Sequence, residues 1–334
     1  MAQQTRTGRQ PFRRFMIGKT ARDFWAHDCL DRSAALTLFA VLAIPPLAIA
    51  LTSVLAIIGQ GSTSTETLLD VVDVLAPDDD ALAVISDPVR TVLEQPAAGW
   101  RLAFGVLVAL WIAAGYVSSF GRAMNTIYGV SEGRPAWKLL GSNLLTTVAL
   151  VVFAAVVTLF VVLSGPVARA VGTVLGLGDA AVTTWELARG PVLLLAAVVI
   201  VALLYRTTPN VRHQHFRLVS AGSLLALAVA IAGSFAFQLY IGLVGRFETT
   251  YGAAMAGIVV FVLWLWLINI ALLLGAELDR ELTRARQLAR GMPADRAVQV
   301  TVRDERATER TKTRRRSDEA RARHLRKSWN DGPE

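Results

Sequence analysis

Residues 253–276 read AAMAGIVVFVLWLWLINIALLLGA, with one polar amide, Asn269, and no charged side chain. Thirteen of these residues are Leu, Ile, Val or Phe. Each is worth roughly −0.3 to −0.6 kcal/mol at the centre of a membrane helix, which outweighs a single Asn. A bilayer core of about 30 Å takes roughly 20 such residues as a helix. Charge returns at once on both sides, with Arg246 and Glu248 before the run and Glu277, Asp279 and Arg280 after it. The stretch reads as a transmembrane helix.

Working outward, five more runs lack Asp, Glu, Lys, Arg and His: 33–58, 102–120, 144–163, 190–205 and 218–243. The fourth is short, and its outer end extends back through Trp185 with Arg189 snorkelling. The expected fold is all-α: a polytopic membrane protein with six transmembrane helices. A cytoplasmic N-terminal segment spans 1–32, the transmembrane domain 33–279, and a basic cytoplasmic tail 280–334, helical at first and largely disordered later. The first run exceeds the 7–15 apolar residues of a signal-peptide core, so it reads as a retained anchor.

Composition agrees. The 334 residues are 54% hydrophobic and 18% charged, with a mean hydropathy of +0.47 and a net charge of +8. Soluble domains carry about a quarter charged residues. The single cysteine, Cys29, excludes an intrachain disulfide and a cysteine metal cluster.

The charges set the orientation. Lys plus Arg number 7 in 1–32, 3 in 121–142, 3 in 206–217 and 16 in 277–334, against 5 in the alternate loops. Long tails count little in this bias, and without the last segment the ratio is still 13 to 5. Both termini are therefore expected in the cytoplasm of a bacterial cytoplasmic (inner) membrane protein, which requires an even number of spans. The segment 12–30 mixes Phe12, Phe15, Met16, Ile17, Phe24 and Trp25 with Arg13, Arg14, Lys19 and Arg22, as an interfacial amphipathic helix does. The loop 59–100 is acidic and outside, with two short helices; Asp78-Asp79-Asp80 reads as a solvated turn between them, with divalent-cation binding as the alternative. Basic residues at both termini point to membrane lipids, anionic headgroups included, as partners, with no nucleic acid expected. Oligomeric state is not readable.

Pro45-Pro46 falls inside the first span and removes two backbone donors, so a kink or break is expected there, either as shape alone or as a hinge lining a cavity. Small residues at four-residue spacing mark close helix seams: Gly222, Ala226, Ala230 and Ser234; Ala114–Ser118 beside Gly115–Ser119; Ala253–Gly257 and Ala271–Gly275. Ser118, Ser119, Thr146, Thr147, Ser223 and Asn269 fall in the cytosolic half of their spans. Arg122, Asn125, Asn143, Tyr205, Arg206, Asn210 and Glu277 lie just below them. Two readings stand: a polar cytosol-facing vestibule, or interhelical hydrogen bonds with ordinary headgroup-level residues. The candidate vestibule or hinge comprises Pro45, Pro46, Ser118, Ser119, Arg122, Asn125, Thr147, Tyr205, Arg206, Asn210, Asn269 and Glu277.

No catalytic or cofactor site is expected. His213-Gln214-His215 resembles two metal ligands, but no further His or Asp near it completes a hydrolase set. There is no P-loop, Gly-x-Ser-x-Gly or His-Glu-x-x-His. No carboxylate lies at mid-membrane, which disfavours a proton pump of the usual kind.

In order along the chain stand Ser33-Ala34-Ala35-Leu36 leading to Pro45-Pro46, then Ala123-Met124-Asn125-Thr126-Ile127-Tyr128. Leu204-Tyr205-Arg206-Thr207-Thr208-Pro209-Asn210 and Tyr251-Gly252-Ala253 follow, then Trp264 through Gly275-Ala276-Glu277-Leu278. In these motifs the chain resembles the YihY/BrkB family of bacterial inner-membrane proteins. The resemblance implies six spans and links to envelope integrity, serum resistance and export of lipids or other amphiphiles. It also implies that the ribonuclease BN label carried by some members is a misassignment. The expected function is a translocator of a lipid or small amphiphile. A scaffold recruiting envelope partners is the alternative, and a membrane-tethered ribonuclease the least supported reading.

Overall fold

A computed structural model describes residues 9–58, 98–162, 179–212, 219–244 and 253–330. Helix α1 (Arg9–Ala26) turns within two residues into α2 (Cys29–Ile58). The turn falls at Asp28, whose φ of 51° lies in the left-handed region that Asp tolerates better than most residues. The amphipathic segment therefore ends at Ala26, and residues 29 and 30 belong to the next helix. The loop expected outside, with Asp78-Asp79-Asp80, and the pair His213 and His215 lie outside the described residues.

Helices α3 (Ala98–Tyr128), α4 (Ala136–Val162) and α5 (Asp179–Thr207) follow, then α6 (Ala221–Val244), α7 (Ala253–Ala289) and α8 (Arg306–Asn330). A short antiparallel pair joins β1 (Val211–Arg212) to β2 (Thr301–Val302), with Val211 opposite Val302. Helices α3 and α7 end alike. Gly129 (φ 67°) and Gly291 (φ 75°) occupy the left-handed position after the helix. Val130 N–H reaches Asn125 O at 2.9 Å and Met292 N–H reaches Gln287 O at 3.0 Å, the six-to-one bond of a glycine C-cap. Helix α6 starts at a reciprocal cap, where the Ser220 and Ser223 hydroxyls each accept from the other's backbone N–H at 2.9 Å.

Five helices are long and apolar enough to cross a membrane: Ala103–Tyr128, Ala136–Val157, Val182–Thr207, Ala221–Gly242 and Gly257–Ala289, counting described residues only. In the most apolar stretch of each of these spans, at most 22% of the residues are buried against protein. Helices this apolar on their exposed faces need lipid, not water, around them. Helix α2, the expected first span, is 30 residues long and lies along α3 and α7. It runs unbroken through Pro45-Pro46, with Pro45 exposed, so the pair does not divide it. The neighbouring helices hold the segment helical despite two missing donors.

Helix α6 lies along α7, and here the small-residue seam is visible. A Cβ on Gly275 would sit 2.3 Å from the Gly222 carbonyl oxygen and 2.7 Å from the Ala226 Cβ, so only glycine permits this approach. Gly257 has open space around it and takes no part in the seam.

Among the described residues the buried core gathers at one end of the bundle. Phe120 stacks between Tyr116 and Tyr205, with centroids 6.4 and 6.2 Å away. Leu36, Met124, Ile127 and Leu273 close around it with essentially no exposure. The α1–α2 turn, the loop 129–135, β1 and the chain after α7 all meet at this end. The tail begins as the expected helix and then departs from its expected disorder. Helix α7 continues past residue 280 to Ala289, β2 pairs back to β1, and α8 is helical through Asn330. Two kinds of contact order it: Val298 and Val300 pack on the core, and side-chain hydrogen bonds anchor residues 299–308 to three other segments.

Candidate functional site

Two polar clusters occupy this end of the bundle. The first is a clamp around Asn125 and Asn210. Asn210 is fully buried. Its backbone N–H donates to Asn125 Oδ1 at 2.8 Å. Its side-chain amide donates to Ser131 O at 3.1 Å and Asp304 O at 2.9 Å, and its Oδ1 accepts from Asp304 N–H at 3.2 Å. Asn125 donates in turn to Glu132 at 2.9 Å. One side chain thus joins the chain after α3, the chain after α5 and the tail.

Two guanidinium groups complete the clamp. The last carbonyls of a helix lack intrahelical partners and carry its negative pole. Arg134 donates to Thr208 O at 2.7 Å and Thr207 O at 3.4 Å. Arg303 reaches Arg206 O, Thr207 O at 3.4 Å and Val211 O at 3.0 Å. Both cations therefore cap α5. Glu132 balances Arg134, which it meets at 2.8 Å. Burial raises the Glu132 pKa, but the hydrogen bonds from Arg134 outweigh that and hold its carboxyl below the ordinary value.

The second cluster lies between α1 and α7. Asp23 accepts from Arg280 at 2.5 Å and from Lys19 at 2.6 Å. Arg280 also meets Glu281 at 3.1 Å, and Arg284 meets Glu281 at 3.3 Å. Glu277 is fully buried, its Oε1 2.5 Å from His27 Nδ1 and 3.7 Å from the Cys29 thiol. Lys19, Arg280 and Arg284 face Asp23, Glu277 and Glu281, so charge balances. Burial raises the Asp23 carboxyl, yet Lys19 and Arg280 hold it below its usual range. Burial, with Glu277 beside it, pushes the Cys29 thiol up to about 12. Three buried side-chain atoms have no hydrogen-bond partner among the described residues: Thr20 Oγ1, Glu277 Oε2 and Arg280 Nε. Two belong to this cluster, and Thr20 lies one turn before Asp23 on α1.

Deeper in the bundle, Asn269 on α7 donates to Thr37 of α2 at 3.1 Å and accepts from Tyr116 of α3 at 2.9 Å. Asn269 and Glu277 are eight residues apart, about 12 Å along the helix. Tyr205 lies between, its hydroxyl donating to Leu272 O.

Of the expected vestibule residues, Asn125 and Asn210 come together, as do Arg206 and the clamp through its carbonyl. Asn269 and Glu277 follow one another along α7, and Tyr205 of α5 reaches the Leu272 carbonyl between them. Thr147 is buried but bonds its own helix at Asn143 O, 2.8 Å away. Arg122 is exposed and bonds Ser118 at 3.0 Å on a different face of α3, and Ser119 is half-buried. An open cavity of about 290 Å³ lies between the loop after α3 and the root of α8, lined by Gly129, Ser131, Asp304, Glu309 and Lys312 among others. None of the twelve expected residues lines it.

Lys19, Asp23, His27, Glu132, Arg134, Arg280, Glu281, Arg284, Arg303 and Asp304 were not anticipated in these roles. One signal was available: Glu277, Arg280, Glu281 and Arg284 repeat at helical spacing and continue the buried face of the last span into charge.

The model of the family "Virulence factor BrkB" matches residues 20–299. The chain is 27% identical over 262 residues to a Bacillus subtilis protein named "Putative ribonuclease-like protein YfkH", covering 78% of this chain and 93% of that one. It is 29% identical over 299 residues to a "UPF0761 membrane protein" of Alkalilimnicola ehrlichii, and 27% over 282 residues to one of Rhodospirillum centenum. These alignments cover 85% and 82% of this chain but only 62% and 59% of those longer proteins. No solved structure matches. A buried charge cluster and a tail clamp at one end of a lipid-exposed helix bundle are thus features of a membrane protein that belongs to the BrkB family.

Proposed function

We propose that the chain is a six-span translocator of a lipid or small amphiphile in the bacterial cytoplasmic membrane, with both termini inside. The observation that carries this reading is the polar column on α7. From Arg284 through Glu277 to Asn269 it enters an otherwise apolar bundle, meeting α1, α2 and α3 on the way. Polar and ionisable groups within a membrane are costly, and they mark pathways more often than they stabilise.

Parity supports six crossings. Cys29 and Tyr128 lie at the same end of the bundle, beside Glu277. Helix α3 returns the chain to that end, so α2 must carry it away. The α1–α2 turn, the loop 129–135, β1 and the tail then share one face, the one richest in Lys and Arg, which supports a cytoplasmic assignment. Helix α1, with Phe15 and Trp25 exposed, fits the inner leaflet surface.

The relative named ribonuclease-like raises nuclease chemistry. Among the described residues no three His, Cys, Asp or Glu side chains converge as metal ligands.

The test is translocation of fluorescent phospholipids in proteoliposomes containing the full chain. Wild type should move label between leaflets, and Asn269→Leu, which removes the deepest polar group, should reduce the rate at least about tenfold. Equal rates for both, or no translocation of any lipid tested, would sink the reading. Manganese-dependent cleavage of RNA by the purified chain would favour the nuclease instead.

A further inference from the structure

We propose that α8 is a membrane-docking arm that lies on an anionic lipid surface. The inference does not depend on translocation. Helix α8 carries ten Lys or Arg against three Asp or Glu. Its described side chains from Glu309 onward are all exposed. Twenty-five residues give an arm of about 37 Å.

The root of this arm is fixed. Ala307 N–H donates to Gly133 O at 2.9 Å, Thr308 reaches Glu132 O at 3.4 Å, and Lys138 pairs with Asp304 at 3.1 Å. Gly133 lies between Tyr128 and Ala136, the ends of two membrane-length helices. The arm therefore starts at headgroup depth, and a bilayer is within its reach at high effective concentration. Ala322, Leu325 and Trp329 recur at three- and four-residue spacing along its distal half, and Trp329 is 89% exposed. A basic helix with a short apolar stripe ending in Trp fits the bilayer interface: the ring settles among headgroups while the long cations reach phosphate. A nucleic acid would satisfy the arginines but would have to arrive by diffusion, and it is the outcome to be excluded.

The experiment uses the full chain in lipid nanodiscs, with Trp329→Cys carrying a polarity-sensitive fluorophore. Cys29 is fully buried and does not compete for label. In discs with about 30% phosphatidylglycerol the label should be shielded from aqueous iodide about fivefold more than in pure phosphatidylcholine, and high salt should reverse this. Adding Arg314→Gln, Arg315→Gln and Arg316→Gln should return shielding to the phosphatidylcholine level. These three residues are exposed, so the fold is not at risk. Equal quenching in both lipids overturns the proposal. So does shielding by a single-stranded RNA oligonucleotide in phosphatidylcholine discs where phosphatidylglycerol gives none.

Discussion

The Asn210 clamp and the Glu277 cluster share one end of the bundle, and both join segments far apart in the chain. The clamp relies mainly on amides, backbone groups and two guanidiniums capping a helix, and none of its buried side-chain atoms lacks a partner among the described residues. The Glu277 cluster is made of opposed charges, and the buried atoms without partners are found in and beside it. Satisfied amide networks specify a structure. Buried charges are expensive, and they persist where charge or protonation is used. The difference fits a structural role for the clamp, and under the proposed translocator reading the charged cluster is the working part.

The sharpest way to break this comparison is Arg280→Met. It removes the cation that Asp23, Glu277 and Glu281 share, and stranding buried charge in this way costs on the order of 3–5 kcal/mol. Helix α1 should loosen first. Cys29 reports it, because a thiol held at about 12, against an ordinary 9.0, alkylates on the order of a thousandfold more slowly than a free one near neutral pH. Alkylation should accelerate sharply in the variant. A rate equal to wild type would mean that the charges do not hold α1.

Asn210→Ala tests the other side. Three side-chain hydrogen bonds are lost, at an expected cost of about 2–4 kcal/mol. The signature differs, since trypsin should cut after Arg296 and Arg303 as the tail is released, while Cys29 stays protected. Coupled loss of both signals would show that the two clusters are one unit.

This contrast also explains what the sequence could and could not reveal. Spans were legible because hydrocarbon tolerates few residue types, and a run such as 253–276 admits no other reading. Asn125, Asn210, Asn269 and Glu277 stood out for the same reason. Their partners did not. Asn210 binds Asp304, 94 residues on, and Glu277 binds His27, 250 residues back, so no local pattern encodes either pair. The tail read as disordered because its composition is charged and poor in aromatics. It is ordered by a few hydrogen bonds and by Val298 and Val300 packing on the core, which overall composition does not register. Arg122 shows the converse: polar and at the right depth, yet turned to the exposed face of α3.

Acid should separate the clusters by readout. Asp23 titrates lower when folded than its ordinary 3.8, and Glu132 lower than 4.5. A carboxyl held low contributes stability that is complete above its unfolded value and is lost as pH falls through the folded value. Below about pH 4, therefore, α1 should loosen through Asp23 and the tail through Glu132. Read by amide hydrogen exchange, Asp23→Asn should flatten the acid limb of α1 loosening and leave the acid limb of tail loosening unchanged. If both limbs flatten together, the comparison fails.

The smallest stability effect belongs to Asn269→Leu. Interhelical hydrogen bonds in membrane proteins average about 0.6 kcal/mol, because the unfolded helices find other partners in lipid. Asn269 makes two, to Thr37 and Tyr116, so the loss should be about 1 kcal/mol, and the added apolar volume offsets part of it. Unfolding in mild detergent should barely shift, and neither Cys29 alkylation nor tail proteolysis should change. A residue so cheap to replace with Leu has little structural reason to sit in hydrocarbon. If translocation survives the substitution as well, the polar column on α7 marks no pathway and the translocator reading falls with it.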